Sequence, residues 1–368
     1  MMSLGFVGTG RIFDLSILGY LDENDIKITA LCNRNVEKAK KKAEKFNLGE
    51  DINFYSDYTE MFQNEDLDLV EILIPNFLHS EVCISAANSG VEAISVQKPI
   101  ALSIEQADKM IQTCEENGVL LSIYENFYFD DHIRKAHELI ANDYIGEPTS
   151  IRIKTVIAGK GGWEQEGKSN DWRSEPQKVG GDSERGSPIL FDNAWHAFAL
   201  TRLFFQEKIE KIFAWHDTFH GLDVPAYVMF KFQQLENHVV PQYGNMEFTY
   251  LPEMKIPSEY YSTDEFIEIV GTRGLMKINQ GTSIGNPMSN ADAFAPIIVV
   301  RDGKVEPFTN FKKDWKFSFM NATKHFINAA RGNAEPILSG HQAREILKYN
   351  LAAVESASKG HEVRIKDM

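Results

Sequence analysis

Apolar residues in the first third of the chain come in short blocks that alternate with segments of helical spacing. Residues 4–7 form a short apolar strand that runs into Gly8-Thr9-Gly10, and residues 26–32 form a second. Asn35 then caps a helix whose apolar positions, Val36, Ala39, Ala43 and Phe46, recur three or four apart on one face. Residues 67–74 have buried-strand character and end at Pro75; a helix from about Ser80 follows, then a strand at 91–96. Ser103 and Gln106 make a capping box before a helix carrying Ala107, Met110, Ile111 and Cys114, which Asn117-Gly118 stops. Residues 119–123 are the next strand. Such alternation predicts a doubly wound parallel sheet with right-handed crossovers, a Rossmann α/β domain over residues 1–124.

Beyond residue 125 the pattern changes. Residues 150–157, 209–215, 224–232, 266–270, 275–278 and 297–301 read as strands with few helices between them. Ile151-Arg152-Ile153-Lys154 alternates apolar and polar, which predicts an open, mostly antiparallel sheet with one face covered. Residues 125–368 are therefore expected to form a second, α+β domain. Residues 159–187 are rich in glycine and charge and predict a long loop. Helices are expected at 317–330 and 342–357, the last packing back towards the N-terminal domain. The chain shows no internal repeat and no low-complexity segment.

Composition narrows the class. With 53 acidic and 38 basic residues the net charge is −15, so nucleic acid and anionic membrane surfaces are expected to be repelled. Cys32, Cys83 and Cys114 are widely spaced in apolar stretches, which argues against a disulfide framework or a zinc cluster and suits a reducing compartment. No metal site is expected. Without an export signal or an apolar run of roughly 18–20 residues, the expected location is cytoplasmic.

Gly8-Thr9-Gly10 follows a strand and opens a helix. The first glycine permits a tight turn, and the second lets backbone N–H groups approach a pyrophosphate. Phe13 stands where a third glycine would allow close helix–sheet packing. Asn33 and Arg34 end the second strand, where an acidic residue would bind ribose hydroxyls and repel a 2′-phosphate. Arginine suits a phosphate and asparagine suits a ribose, so NAD and NADP both remain open. Val96-Gln97-Lys98-Pro99 follows a strand and offers a cation. Asp192 and His196, four apart, would share a helix face, where the carboxylate can orient the imidazole and stabilise its charged form. The same spacing also fits a plain solvated pair.

Together these residues resemble the Gfo/Idh/MocA family, the group of glucose–fructose oxidoreductase and inositol dehydrogenase. The similarity includes Gly8-Thr9-Gly10-Arg11-Ile12; Ile74-Pro75-Asn76-Phe77-Leu78-His79, similar to a T-P-N-x-x-H segment beside the cofactor; and Gln97-Lys98-Pro99, similar to E-K-P. Trp172-Arg173, Gly180-Gly181, Asp192 through His196 and Gly271-Thr272-Arg273-Gly274 continue it into the second domain. The resemblance implies a nicotinamide-dependent oxidoreductase acting on a sugar, polyol or cyclic alcohol. It also implies homodimers or homotetramers built by the sheet domain. Lys98 would contact nicotinamide and the reacting oxygen, Asp192 would orient substrate, and His196 would be the acid/base. Glu125, Asn126, Trp172 and Arg173 would line the site, and Trp163 or Trp172 would offer a face to a sugar ring, with Trp195 expected in the core. Three departures bear on substrate identity. Gln97 replaces a glutamate, Tyr128 stands where many members have arginine, and Ala199 where many have a second aspartate. The same site run in reverse would reduce a keto-sugar or other carbonyl. A non-catalytic dinucleotide sensor is the reading from another class, which the retained Lys98, Asp192 and His196 oppose.

Overall fold

The computed structural model describes residues 1–162, 176–181, 186–234, 240–281, 295–312 and 314–368. Among them, β1 (Met2–Val7), β2 (Ile26–Cys32), β3 (Asn53–Tyr55), β4 (Leu69–Ile72), β5 (Ala93–Gln97) and β6 (Leu120–Tyr124) pair in the order β3-β2-β1-β4-β5-β6. All pairs are parallel, and the order reverses between β1 and β4. In open α/β sheets ligands bind at the carboxyl ends of the strands beside such a reversal. The intervening helices are α1 (Phe13–Ser16), α2 (Val36–Phe46), α3 (Tyr58–Asn64), α4 (His79–Ala87) and α5 (Ile104–Glu116).

Local signals account for most of these elements. The Asn35 side chain accepts a hydrogen bond from Lys38 N at 3.2 Å and starts α2. Ser103 Oγ accepts from Gln106 N, while Gln106 Oε1 reaches back to Leu102 N rather than to the cap residue itself. Gly118 ends α5 with φ of +69°. The helix after the glycine loop is shorter than the fingerprint implies, four α-helical residues followed by a 3₁₀ turn at Ile17–Gly19. Phe13 occupies the helix–sheet gap edge-on to Phe6, with ring centroids 4.9 Å apart, and is fully buried.

Behind this sheet lies a buried polar cluster. Ser16 Oγ donates to Glu71 Oε1 at 2.5 Å, and Thr323 Oγ1 donates to Ser16 O at 3.1 Å. Tyr124 donates through its hydroxyl to Phe319 O at 2.8 Å. Burial pushes the Glu71 carboxyl up to about 7, against the lowering effect of the Ser16 and Tyr20 hydroxyls.

In the remainder of the chain, again among the described residues, a sheet of nine strands runs β14-β13-β12-β11-β7-β10-β9-β8-β15. Its strands are β7 (Pro148–Lys160), β8 (Ile209–His216), β9 (Ala226–Phe232), β10 (Tyr243–Lys255), β11 (Thr263–Gly271), β12 (Gly274–Gly281), β13 (Ile297–Arg301), β14 (Lys304–Phe308) and β15 (Val363–Arg364). Only β7 and β10 pair in parallel. Along β7, Ile151 and Ile153 are buried while Arg152 and Lys154 are exposed, as the alternation predicts. Trp215, Tyr227, Met229 and Tyr243 are exposed large side chains of β8, β9 and β10. Three further helices are α6 (Asp131–Ala141), α7 (Pro176–Val179) and α8 (Ala194–Phe204).

Two units result, and the division is not a single cut. Residues 1–126 group with 318–347, and 127–317 with 348–368. Most of α9 (Lys316–Ala330) therefore belongs to the first unit, where Phe326 and Ile327 enter a core with Leu4, Phe6, Phe13 and Leu31. The last long helix, α10 (Gly340–Lys359), is divided between the units near its middle. No helix among the described residues is long and apolar enough to cross a membrane.

Candidate active site

At the carboxyl end of β1 the glycine loop closes against β4. Gly8 has φ of +103°, and a Cβ there would lie 2.4 Å from Leu73 O, so the turn requires glycine. Gly10 differs, because a Cβ there meets no atom within 4 Å. The backbone is bare on that side, as close approach by a pyrophosphate requires, and the residues present fit a dinucleotide. Arg11 and Ile12 follow, both half-buried. Asn33, expected to face a ribose, donates through Nδ2 to Thr9 Oγ1 at 2.7 Å and accepts from Asn35 N at 2.9 Å. It thereby ties the glycine loop to the end of β2, and its amide group is spent within the protein. Arg34 beside it is exposed.

Across the sheet, His79 fastens two cofactor-side turns together. Its Nδ1 lies 2.7 Å from Pro99 O and its Nε2 2.9 Å from Ile74 O, with the ring fully buried. The Ile74-Pro75-Asn76 turn and the Lys98-Pro99 turn are thus held at fixed spacing. Gln97 Oε1 accepts from Lys98 N at 3.0 Å, and Lys98 is half-buried. Glu125 and Asn126 are buried after β6, and Asn126 Nδ2 donates to Ser318 Oγ at 3.0 Å.

In the second unit, Asp192 and His196 do not lie in one continuous α-helix. Pro188–Asn193 forms a π-helical turn that runs on into α8, with Asp192 in the π segment and His196 in the α segment. Spacing alone cannot distinguish the two helix types, because both keep residues four apart on neighbouring positions. Asp192 is buried. The His196 ring lies flat on Phe127, with centroids 4.1 Å apart and planes 12° from parallel, so the imidazole plane is set by packing.

Three other contacts hold this helix. Asp223 is buried, and its Oδ1 and Oδ2 accept from Ile189 N and Leu190 N at 2.8 and 2.9 Å. Burial pushes the Asp223 carboxyl up to about 6, and the two amides limit that rise. Asn350 Nδ2 donates to Leu190 O at 2.8 Å. The Tyr128 hydroxyl donates to Ala199 O at 2.8 Å, so two of the three positions that depart from the family pattern touch each other. Tyr128 is buried and acts as a packing strut rather than presenting its hydroxyl to solvent. Phe127, Asp223 and Asn350 carry no local motif; each contributes through a partner far along the chain. Trp195 is fully buried in the core. Trp163, Trp172 and Arg173 lie outside the described residues, as does most of the 159–187 segment, although Gly159 and Lys160 belong to β7. Among the described residues no cluster of three or more His, Cys, Asp or Glu is placed to hold a metal ion.

Two family models match this sequence: an oxidoreductase family with NAD-binding Rossmann fold over residues 2–125, and the C-terminal alpha/beta domain of the same family over 137–365. One relative is the 2,7-anhydro-N-acetylneuraminate hydratase of Mediterraneibacter gnavus, 32% identical over 131 residues, or 36% of this chain and 33% of that protein. The chain thus spans about a third of that relative's length. Myo-inositol 2-dehydrogenase of Thermotoga maritima is 21% identical over 100% of this chain and 99% of its own. Among solved structures, scyllo-inositol dehydrogenase from Lactobacillus casei with bound NAD(H) and scyllo-inositol superposes with a TM-score of 0.74 at 19% identity, covering 100% of this chain and 99% of the other. At that identity the likeness speaks for the fold.

Proposed function

Because the chain belongs to the Gfo/Idh/MocA family of oxidoreductases, we propose that it oxidises, reversibly, a ring hydroxyl of a sugar, glycoside or cyclitol. The observation that carries this is the fixed imidazole of His196, stacked on Phe127 four residues after the buried carboxylate of Asp192. NAD or NADP, when bound, supplies the hydride acceptor. Gly8, Thr9, Gly10, Arg11 and Ile12 form its pyrophosphate turn, which Asn33 braces through Thr9, with the exposed Arg34 towards the adenosine ribose. Ile74, Pro75, Asn76, Gln97 and Asn126 belong to its nicotinamide side, where the buried His79 ring holds the 74–76 and 98–99 turns at fixed spacing.

A ring nitrogen of His196 takes the hydroxyl proton, and Asp192 stabilises the resulting imidazolium. Lys98 Nζ donates a hydrogen bond to the same oxygen and holds negative charge as it develops there. Glu125, Trp172 and Arg173 contribute to the substrate side. The cyclitol dehydrogenases that this chain resembles support a polyhydroxylated ring as substrate. A homodimer or homotetramer closed over the exposed apolar positions of β8, β9 and β10 belongs to the same proposal, as does a cytoplasmic setting, which the three free cysteines suit.

The test is reduction of NAD and NADP, followed by absorbance, with myo-inositol, scyllo-inositol, glucose, xylose and a methyl glucoside. Turnover that falls roughly 10²–10⁴-fold in Lys98→Ala and in His196→Ala, with dinucleotide binding retained, is the expected result. Tight dinucleotide binding without turnover on any of these substrates would count against it.

A further inference from the structure

We propose that Asp223 is a positioning residue for this reaction: it locks the π-helical turn that sets where Asp192 and His196 stand. The inference rests on the dehydrogenase reading above, and it concerns a residue that touches neither substrate nor cofactor.

The start of any helix leaves N–H groups without intrahelical acceptors. Here each of the first four positions can be accounted for. Pro188 has no N–H to place. Ile189 and Leu190 give theirs to the two oxygens of Asp223, and Phe191 gives its own to Ser187 O at 2.8 Å. The Ser187 side chain makes no cap. The acceptor that a neighbouring side chain ordinarily supplies comes instead from a buried carboxylate more than thirty residues away. Asn350 holds the same residue from its other side, donating to Leu190 O, and Asn350 is itself fully buried. Leu190 is thus held at its N–H and at its C=O by two remote side chains.

That grip matters because the turn is π-helical. Ala194 N donates to Ile189 O, five residues back, where an α-helix would bond four back. Such turns are rare and persist where surrounding contacts over-determine them. Without its acceptors the segment is free to relax to an α-helical turn, removing one residue from the ladder. One residue corresponds to about 100° of rotation about a helix axis, enough to turn Asp192 away from its present relation to His196. An ordinary cap would add stability alone. A register lock adds a loss of turnover out of proportion to any loss of cofactor binding, since the glycine loop belongs to the other unit.

Asp223→Asn keeps the size of the side chain but replaces one acceptor with a donor facing an N–H. It is compared with wild type and His196→Ala, using whichever compound among the sugars and cyclitols above wild type turns over fastest. The expected result is at least a tenfold fall in kcat with KM for NAD within twofold, and faster amide exchange over residues 189–193. A folded Asp223→Asn protein with wild-type kcat, while His196→Ala is inactive, overturns the register lock and leaves the dehydrogenase reading standing. A fall in kcat matched by an equal loss of NAD affinity also overturns it. If Asp223→Asn does not fold, Asn350→Ala releases the same residue, Leu190, at its carbonyl: lost kcat with KM for NAD retained supports the lock, and unchanged kcat sinks it. Wild-type turnover that survives His196→Ala, or no turnover with any of these compounds, removes the dehydrogenase reading and this inference with it.

Discussion

Gly8 and Gly10 sit two residues apart and are glycine for different reasons. The first is required by the fold, since a positive φ and the Leu73 carbonyl leave no room for a side chain. The second is open on the protein side, so the fold has room for a side chain there, and under the proposed function it is a bound dinucleotide that would exclude one. Gly10→Ala is therefore expected to leave the melting temperature unchanged or slightly raised, as glycine-to-alanine changes at unstrained positions stabilise by about 0.4–1 kcal/mol. The same change should weaken NAD binding at least tenfold by fluorescence titration. A variant that melts early yet binds NAD normally would contradict this assignment. The glycine spacing was legible in the sequence because a tight turn is a local event. The role of Asn33 was not: whether an amide faces a ribose or Thr9 depends on a contact 24 residues away.

At the scale of elements, caps were legible and helix type was not. Asn35 and Ser103 mark their helices through bonds that close within three residues. The π turn at Pro188–Asn193 carries no such mark, since its stabilising partners are Asp223 and Asn350. Strand β10 was missed because its alternation breaks at Pro252, where its pairing with β7 shifts register. Burial of Glu71 in the first unit, where it accepts from Ser16, makes a pH-dependent contribution to stability. Its carboxyl is raised from 4.5 to about 7, so the native state holds a proton between those values that the unfolded chain has released. The stabilisation is full below the unfolded pKa and is lost as pH rises through about 7. A shift of this size corresponds to roughly 3 kcal/mol, at about 1.4 kcal/mol per pH unit. Glu71→Gln, which stays neutral, should therefore melt well above wild type at pH near 8 and much closer to it at pH near 5. Equal differences at both pH values would refute a titrating Glu71.

At the scale of the molecule, Trp215, Tyr227, Met229 and Tyr243 are large side chains exposed on neighbouring strands of the second sheet among the described residues. Large exposed apolar patches on a folded chain mark an interface. Sedimentation is expected to give a dimer or tetramer of the 41.8 kDa chain, and Trp215→Glu with Met229→Glu should shift it to monomer. A monomeric wild type would rule this interface out. Sequence alone determined the parallel α/β half, the glycine turn, the capped helices and the in–out alternation of the second sheet. Each of these depends on neighbours within one or two turns, where periodicity and backbone preference act directly. Tertiary structure alone decided that residues 318–347 rejoin the first unit, that the Tyr128 hydroxyl is spent on Ala199, and that His196 is held through Phe127 and a π turn. Those outcomes rest on contacts between residues far apart in the chain. Their free energy is realised only once the intervening loops have closed, and no local pattern records which partner will be met.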